Sequence, residues 1–153
     1  MKFEKFLKSV GTHGKVVSLN ESEKWLVCDG VGMVIPRGVD NLLGRDAAQD
    51  DSIVRTLAYA ENDELLELTK AVILEPAGNA KAIIRVFEST LGSTVGICNA
   101  DYGFLEKKDR LGYCEVEIPE TEDKAAETEK FIVVFDNSDH VVGFINGLKE
   151  RTI

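Results

Sequence analysis

Two short runs, Phe131–Phe135 and Val141–Ile145, are apolar on both faces and flank the polar tetrapeptide Asp136-Asn137-Ser138-Asp139. A strand with one wet face alternates apolar and polar residues, whereas a strand covered on both faces does not. The pair therefore reads as a hairpin lying deep in a sheet, at the centre of the fold. A chain built around such a hairpin needs other strands beside it, and the rest of the sequence supplies them.

Three β-rich runs, Lys15–Leu19, Lys24–Cys28 and Val31–Ile35, are punctuated by Asn20–Ser22, Asp29-Gly30 and Pro36-Arg37-Gly38, the pattern of a small meander. From Glu64 a long strand runs through Glu75, turns at Pro76-Ala77-Gly78-Asn79 and returns through Glu88. Val95–Cys98 and Tyr113–Ile118 add two more strands. In the second, Cys114, Val116 and Ile118 alternate with Tyr113, Glu115 and Glu117, which predicts one wet face.

Helical spacing occurs twice. Phe3, Phe6, Leu7 and Val10 fall at i, i+3, i+4 and i+7 with Gly11 as a stop, which predicts an amphipathic helix over residues 2–10. A helix that short needs its apolar face docked, either on this domain or on a partner. Ile53, Val54, Leu57 and Ala58 keep the same spacing behind the candidate caps Asp50, Asp51 and Ser52, predicting a second helix near residues 46–61. The fold class expected is mainly β (α+β): an antiparallel sheet, barrel or sandwich with a short N-terminal amphipathic helix and one further helix. Residues 1–153 are expected to form a single domain. Residues 119–130 hold Glu120, Glu122, Asp123, Glu127 and Glu129 against few cations and no large hydrophobe, so they read as an acidic surface loop.

Charge restricts the partners. Eighteen basic residues against 27 acidic give a formal charge of −9, a field that repels nucleic-acid phosphates and anionic lipid and suits a basic protein. The first residues carry charges through their apolar positions and lack a signal-peptide core, and no run is long enough to span a membrane. The expected location is the cytoplasm of a host cell or a virion. Three separated cysteines, Cys28, Cys98 and Cys114, imply neither a disulfide framework nor a zinc ribbon.

Candidate chemistry is sparse. A cysteine nucleophile would need a base, and His13 and His140 are the only imidazoles in the sequence, with no short spacing to any cysteine or to Asp29 that marks a metal site. Gly11-Thr12-His13-Gly14-Lys15 resembles a phosphate loop only in composition. Two residues separate its glycines and Val16 follows the lysine, so it reads instead as a helix stop and turn. No catalytic, cofactor-binding or metal residues are assigned. The candidate interface residues are Phe3, Phe6 and Leu7 on the first helix face, Trp25 as a core or interface anchor, Tyr102 and Phe104 in the polar loop expected over 99–104, and the five acids of 119–130.

The first 44 residues carry the Gly-Thr-His-Gly turn, the Lys24-Trp25-Leu26-Val27-Cys28 run and the Ile35-Pro36 exit. In these features the segment resembles small proteins of tailed bacteriophages of gut Firmicutes, encoded among virion structural genes. The resemblance implies an accessory protein of the capsid or connector that acts by binding, and it supplies no catalytic residues. The function expected is thus a non-enzymatic protein–protein interaction module with virion proteins as partners, compatible with a homo-oligomer. Two alternatives stand beside it: an acidic inhibitor of a host defence protein, and a small enzyme using Cys28 or Cys98.

Overall fold

The computed structural model describes residues 1–38, 47–48, 51–77 and 80–148. The chain is mainly β, and its described residues form two sheets and three short helices. The larger sheet is ordered β4-β1-β2-β3-β10-β9-β8, from β1 (Lys15–Ser18), β2 (Lys24–Cys28), β3 (Val31–Val34), β4 (Ala47–Ala48), β8 (Arg110–Ile118), β9 (Glu127–Phe135) and β10 (Val141–Asn146). The smaller is ordered β5-β6-β7, from β5 (Leu66–Ala77), β6 (Ala80–Ser89) and β7 (Thr94–Cys98). The sequence-predicted meander is β1–β2–β3, and the doubly apolar hairpin is β9–β10, lodged between β3 and β8.

Alternation along the strands divides the core in two. One face of the larger sheet presents Val16, Leu26, Met33, Ile132 and Ile145 to a cluster with Phe87, Val95 and Ile97 of the smaller sheet. The helix α1 (Phe3–Val10) joins that cluster through Phe6 and Val10. The opposite face presents Val17, Trp25, Phe131, Val133, Phe135 and Phe144 to Val54, Leu57 and Ala58 of the helix α2 (Ser52–Ala58). This explains why β9 and β10 show no alternation: each face has its own cover.

Local chemistry fixes both helix ends. Gly11 closes α1 with φ 58°, its N–H donating to the Leu7 carbonyl at 3.1 Å. Gly14 follows with φ 85°, and a Cβ there would stand 2.9 Å from Val10 Cγ1 and from the Val27 carbonyl oxygen. The Gly-Thr-His-Gly sequence is therefore a turn feeding β1. At the start of α2 the Asp51 carboxylate accepts from the Ile53 and Val54 amides at 2.9 and 3.2 Å and meets Lys15 Nζ at 2.6 Å.

Three expectations are corrected. The helix near 46–61 is shorter, because Ala47–Ala48 pairs with β1 in the parallel sense and so departs from an all-antiparallel sheet. Residues 39–46 and 49–50 of that region, like the Gly78-Asn79 turn, lie outside the described residues. The acidic segment is a loop only through residue 126: β9 begins at Glu127, opposite Ile118. The stretch 99–104 begins with a one-turn helix, α3 (Asn99–Tyr102), where a polar loop was expected. Among the described residues no helix is long and apolar enough to cross a membrane.

Candidate functional site

The groups able to do chemistry come first. Asp29 and Gly30, with φ 49° and 81°, make the two-residue turn between β2 and β3, an arrangement that demands left-handed backbone at both positions. That turn sets Cys28 and Asp29 beside the Gly14 turn, so that His13, Lys15, Cys28 and Asp29 line one open depression. The Cys28 Sγ lies 3.7 Å from Asp29 Oδ2, a carboxylate. A thiol is nucleophilic as its thiolate. At Cys98, burial, reinforced by the Asp101 charge, pushes the thiol above its ordinary range. Burial also raises the Asp101 carboxyl, with Asp29 adding to it. Cys114 is raised by burial and by Asp63 and Glu115.

The second imidazole lies elsewhere, in the β9–β10 turn, where His140 Nε2 stands 3.0 Å from Glu23 Oε1. The structure thus brings His13 and Cys28 to one depression and keeps His140 apart, in a hydrogen bond with Glu23. Among the described residues no three His, Cys, Asp or Glu side chains are arranged to hold a metal.

The sequence-predicted interface residues divide by burial. Trp25 is wholly buried between Val17 and Val34 of the flanking strands and stacks on Phe144, which assigns it to the core and removes it as a surface anchor. Phe6 and Phe104 are also buried, their rings 5.4 Å apart and edge to face, so α1 docks on its own domain. Phe3 and Leu7 are half-buried against the same cluster. Tyr102 is half-buried beside Phe87, with the Arg85 guanidinium 5.2 Å above its ring. Glu120, Glu122 and Asp123 are exposed in the connection between β8 and β9, and Glu127 is exposed on β9 itself. Glu129 is half-buried and accepts from Asn146 Nδ2 at 3.2 Å.

Two surface features escaped the sequence reading. The first is the far half of the β5–β6 hairpin. β7 pairs with β6 only over residues 84–88, so Leu74–Ala77 and the paired residues 80–83 run on as a two-stranded arm past the end of β7. Val72, Ile73 and Leu74 approach or form this arm and are 45%, 48% and 55% exposed, on successive positions and therefore on both faces. The visible signal was the unbroken apolar run Ala71–Leu74 inside a strand that otherwise carries charges. The second is a groove of about 340 Å³ lined by residues 127–130 of β9 and by Asn146, Gly147 and Leu148. Gly147 donates to the Lys130 carbonyl at 2.7 Å and Leu148 to the Gly96 carbonyl at 2.8 Å, which holds the apolar Leu148 side chain, 45% exposed, at the rim beside Glu127 and Glu129. Its lining sets Glu127, Glu129 and Lys130 beside the apolar Leu148.

No family model matches this chain, and neither a curated protein nor a solved structure matches it.

Proposed function

We propose that the protein works by binding other proteins, as a non-enzymatic accessory component of a bacteriophage virion associated with the capsid or connector. The observation that carries the binding role is the run Val72-Ile73-Leu74, half-exposed on a strand at the open edge of its sheet. Folded proteins blunt such edges with charge, prolines or a covering element, because an apolar edge recruits other chains. Here the apolar run is retained on an arm, and arms of this kind suit contacts between subunits. The virion assignment rests on the resemblance of the first 44 residues.

Cys98 and Cys114 lend a catalytic reading little support, since burial raises both thiols above their ordinary range. One feature favours a second reading, an acidic inhibitor of a basic host defence protein: residues 115–130 carry seven acids against two lysines. Quantitative mass spectrometry of purified particles separates the two. Detection at fixed copy number per particle supports the accessory role, and complete absence from particles removes it.

A further inference from the structure

We propose that Asn146-Gly147 is a self-modification site, at which the asparagine loses its side-chain amide when the end of β10 opens, and that this loss keeps the end from closing again. The reaction needs only water and stands apart from the binding role proposed above.

The chemistry begins in the sequence. Asn146 is the only asparagine in the chain that glycine follows. The main-chain nitrogen after an asparagine can attack its side-chain Cγ, and glycine, with no Cβ, hinders that approach least. The Gly147 nitrogen forms a bond to Asn146 Cγ and gives up its proton, while the Cγ–Nδ2 bond breaks and ammonia leaves. Water then opens the cyclic imide at either carbonyl. One opening gives aspartate, and the other gives isoaspartate, whose main chain runs through the former side chain.

The fold holds both reacting groups back. Asn146 ends β10 and lies opposite Phe131 of β9. Its Nδ2, the leaving group, donates to Glu129 Oε2 at 3.2 Å, and its main-chain N–H donates to the Gly30 carbonyl at 2.8 Å. The Gly147 N–H, the nucleophile, donates to the Lys130 carbonyl at 2.7 Å, and the next N–H, of Leu148, to the Gly96 carbonyl at 2.8 Å. The five-membered ring closes only when Asn146 leaves the extended conformation of a strand. Attack therefore waits on release of the rungs at 147 and 148, beyond which the described residues end. Strand ends open at a lower free-energy cost than rungs in the core. The groove beside β9, which Asn146 helps to line, admits the water.

The product does not fit the place it leaves. Glu129 is the diagonal cross-strand neighbour of position 146, so aspartate there sets two carboxylates where an amide had donated to one. Isoaspartate adds a methylene to the main chain and shifts Gly147 and Leu148 out of register with Lys130 and Gly96. Either product leaves the end of β10 open and fixes an opening that was transient.

Site-resolved peptide mapping of the full chain tests this, with the protein incubated either folded or in urea in mildly alkaline buffer. In urea, Asn146 is expected to deamidate faster than any other asparagine. In the folded chain its rate should fall at least about tenfold, the factor for an opening that costs about 1.4 kcal/mol. Glu129→Ala frees the amide, and Leu148→Pro removes the donor to Gly96. Each should speed the reaction several-fold in the folded chain and leave the rate in urea unchanged. Should Leu148→Pro lose the wild-type circular dichroism spectrum, Glu129→Ala carries the comparison. Asn146→Asp, which installs one product directly, should lose hydrogen-exchange protection at the Gly147 and Leu148 amides while Val133 and Phe144 keep theirs.

A folded chain that deamidates at Asn146 as fast as the unfolded chain would overturn the gating by β10, as would folded variants that react at the wild-type rate. An Asn146 that stays intact in urea would overturn the site itself. Full protection of Gly147 and Leu148 in Asn146→Asp would show that the end closes again, and would overturn the lasting effect.

Discussion

Gly32 of β3 sits directly opposite Phe144 of β10, and the Phe144 ring occupies the space into which a Cβ at Gly32 would project. With that space open, the ring lies over the neighbouring strand and reaches Trp25 of β2, its centroid 5.7 Å from the indole and the planes inclined by 25°. Phe131 meets the same ring edge-on at 5.8 Å. A glycine in mid-strand, ordinarily a weakness, here lets three aromatic rings interlock on the face covered by α2.

Gly32→Ala is therefore expected to destabilise the fold by about 1–3 kcal/mol, the range for overpacking a close-packed core, although alanine has the better strand propensity. Phe144→Leu should lower stability alone and should cost less in the Gly32→Ala background, because the smaller side chain vacates the contested space. Urea denaturation of the four combinations checks this. Additive effects would show that the ring and the missing Cβ are not in conflict.

Trp25 carries a different kind of tension. Its Nε1 is buried with no hydrogen-bond partner among the described residues, so the indole contributes packing at the cost of an unmet donor. Trp25→Ala should cost about 3–5 kcal/mol, the usual penalty for deleting a buried large aromatic ring. Trp25→Phe should cost well under half of that, since it keeps a ring against Phe144 and removes the unpaired N–H. Equal losses for the two variants in thermal unfolding would contradict this account.

Asp51 joins sequence-local and long-range chemistry in one carboxylate. Burial pushes its carboxyl up, but the Lys15 ammonium and the Val54 and Ile53 amides together outweigh burial and hold it below the ordinary value of 3.8. A depressed carboxyl contributes stability that is present above 3.8 and is lost as pH falls through the still lower folded value. Asp51→Ala should cost about 1 kcal/mol at neutral pH, and Asp51→Asn less, because asparagine still caps α2 but no longer attracts Lys15. The difference between wild type and Asp51→Asn should vanish in melts taken well below that pH. A difference that persists there would locate the effect in the cap alone.

How far the fold was legible follows from where its information lies. The meander, the long hairpin and the buried β9–β10 pair are each encoded by local patterns and turn residues, and each formed within a residue or a few of the expected bounds. The first part of β9 was misread as loop because Glu127 to Lys130 hold no apolar residue. They extend all the same, since a ladder to Glu115–Ile118 needs only backbone groups. The parallel β1–β4 pair and the one-turn α3 leave no periodicity to detect. Trp25 stayed ambiguous because the ring that buries it, Phe144, lies far along the chain. The candidate surfaces were half legible: the acids of 120–129 announce themselves, whereas the arm emerges only once β7 is seen to stop short of it.

The cysteines give the last prediction. Cys98 and Cys114 are raised above 9.0, chiefly by burial, so at pH 8 each holds less thiolate than an unperturbed cysteine and should alkylate more slowly, about tenfold for every unit of elevation. Asp101 adds to the effect at Cys98, while Asp63 and Glu115 add to it at Cys114. Asp101→Asn should therefore speed alkylation of Cys98 and leave Cys114 unchanged, and Glu115→Gln should do the converse. Unfolding in urea should bring both sites to one common rate. Site-resolved mass spectrometry of iodoacetamide adducts across pH reads each thiol separately. A native Cys98 that reacts faster than the unfolded chain at pH 7 would mean an activated thiolate, and would return a cysteine nucleophile to consideration for this protein.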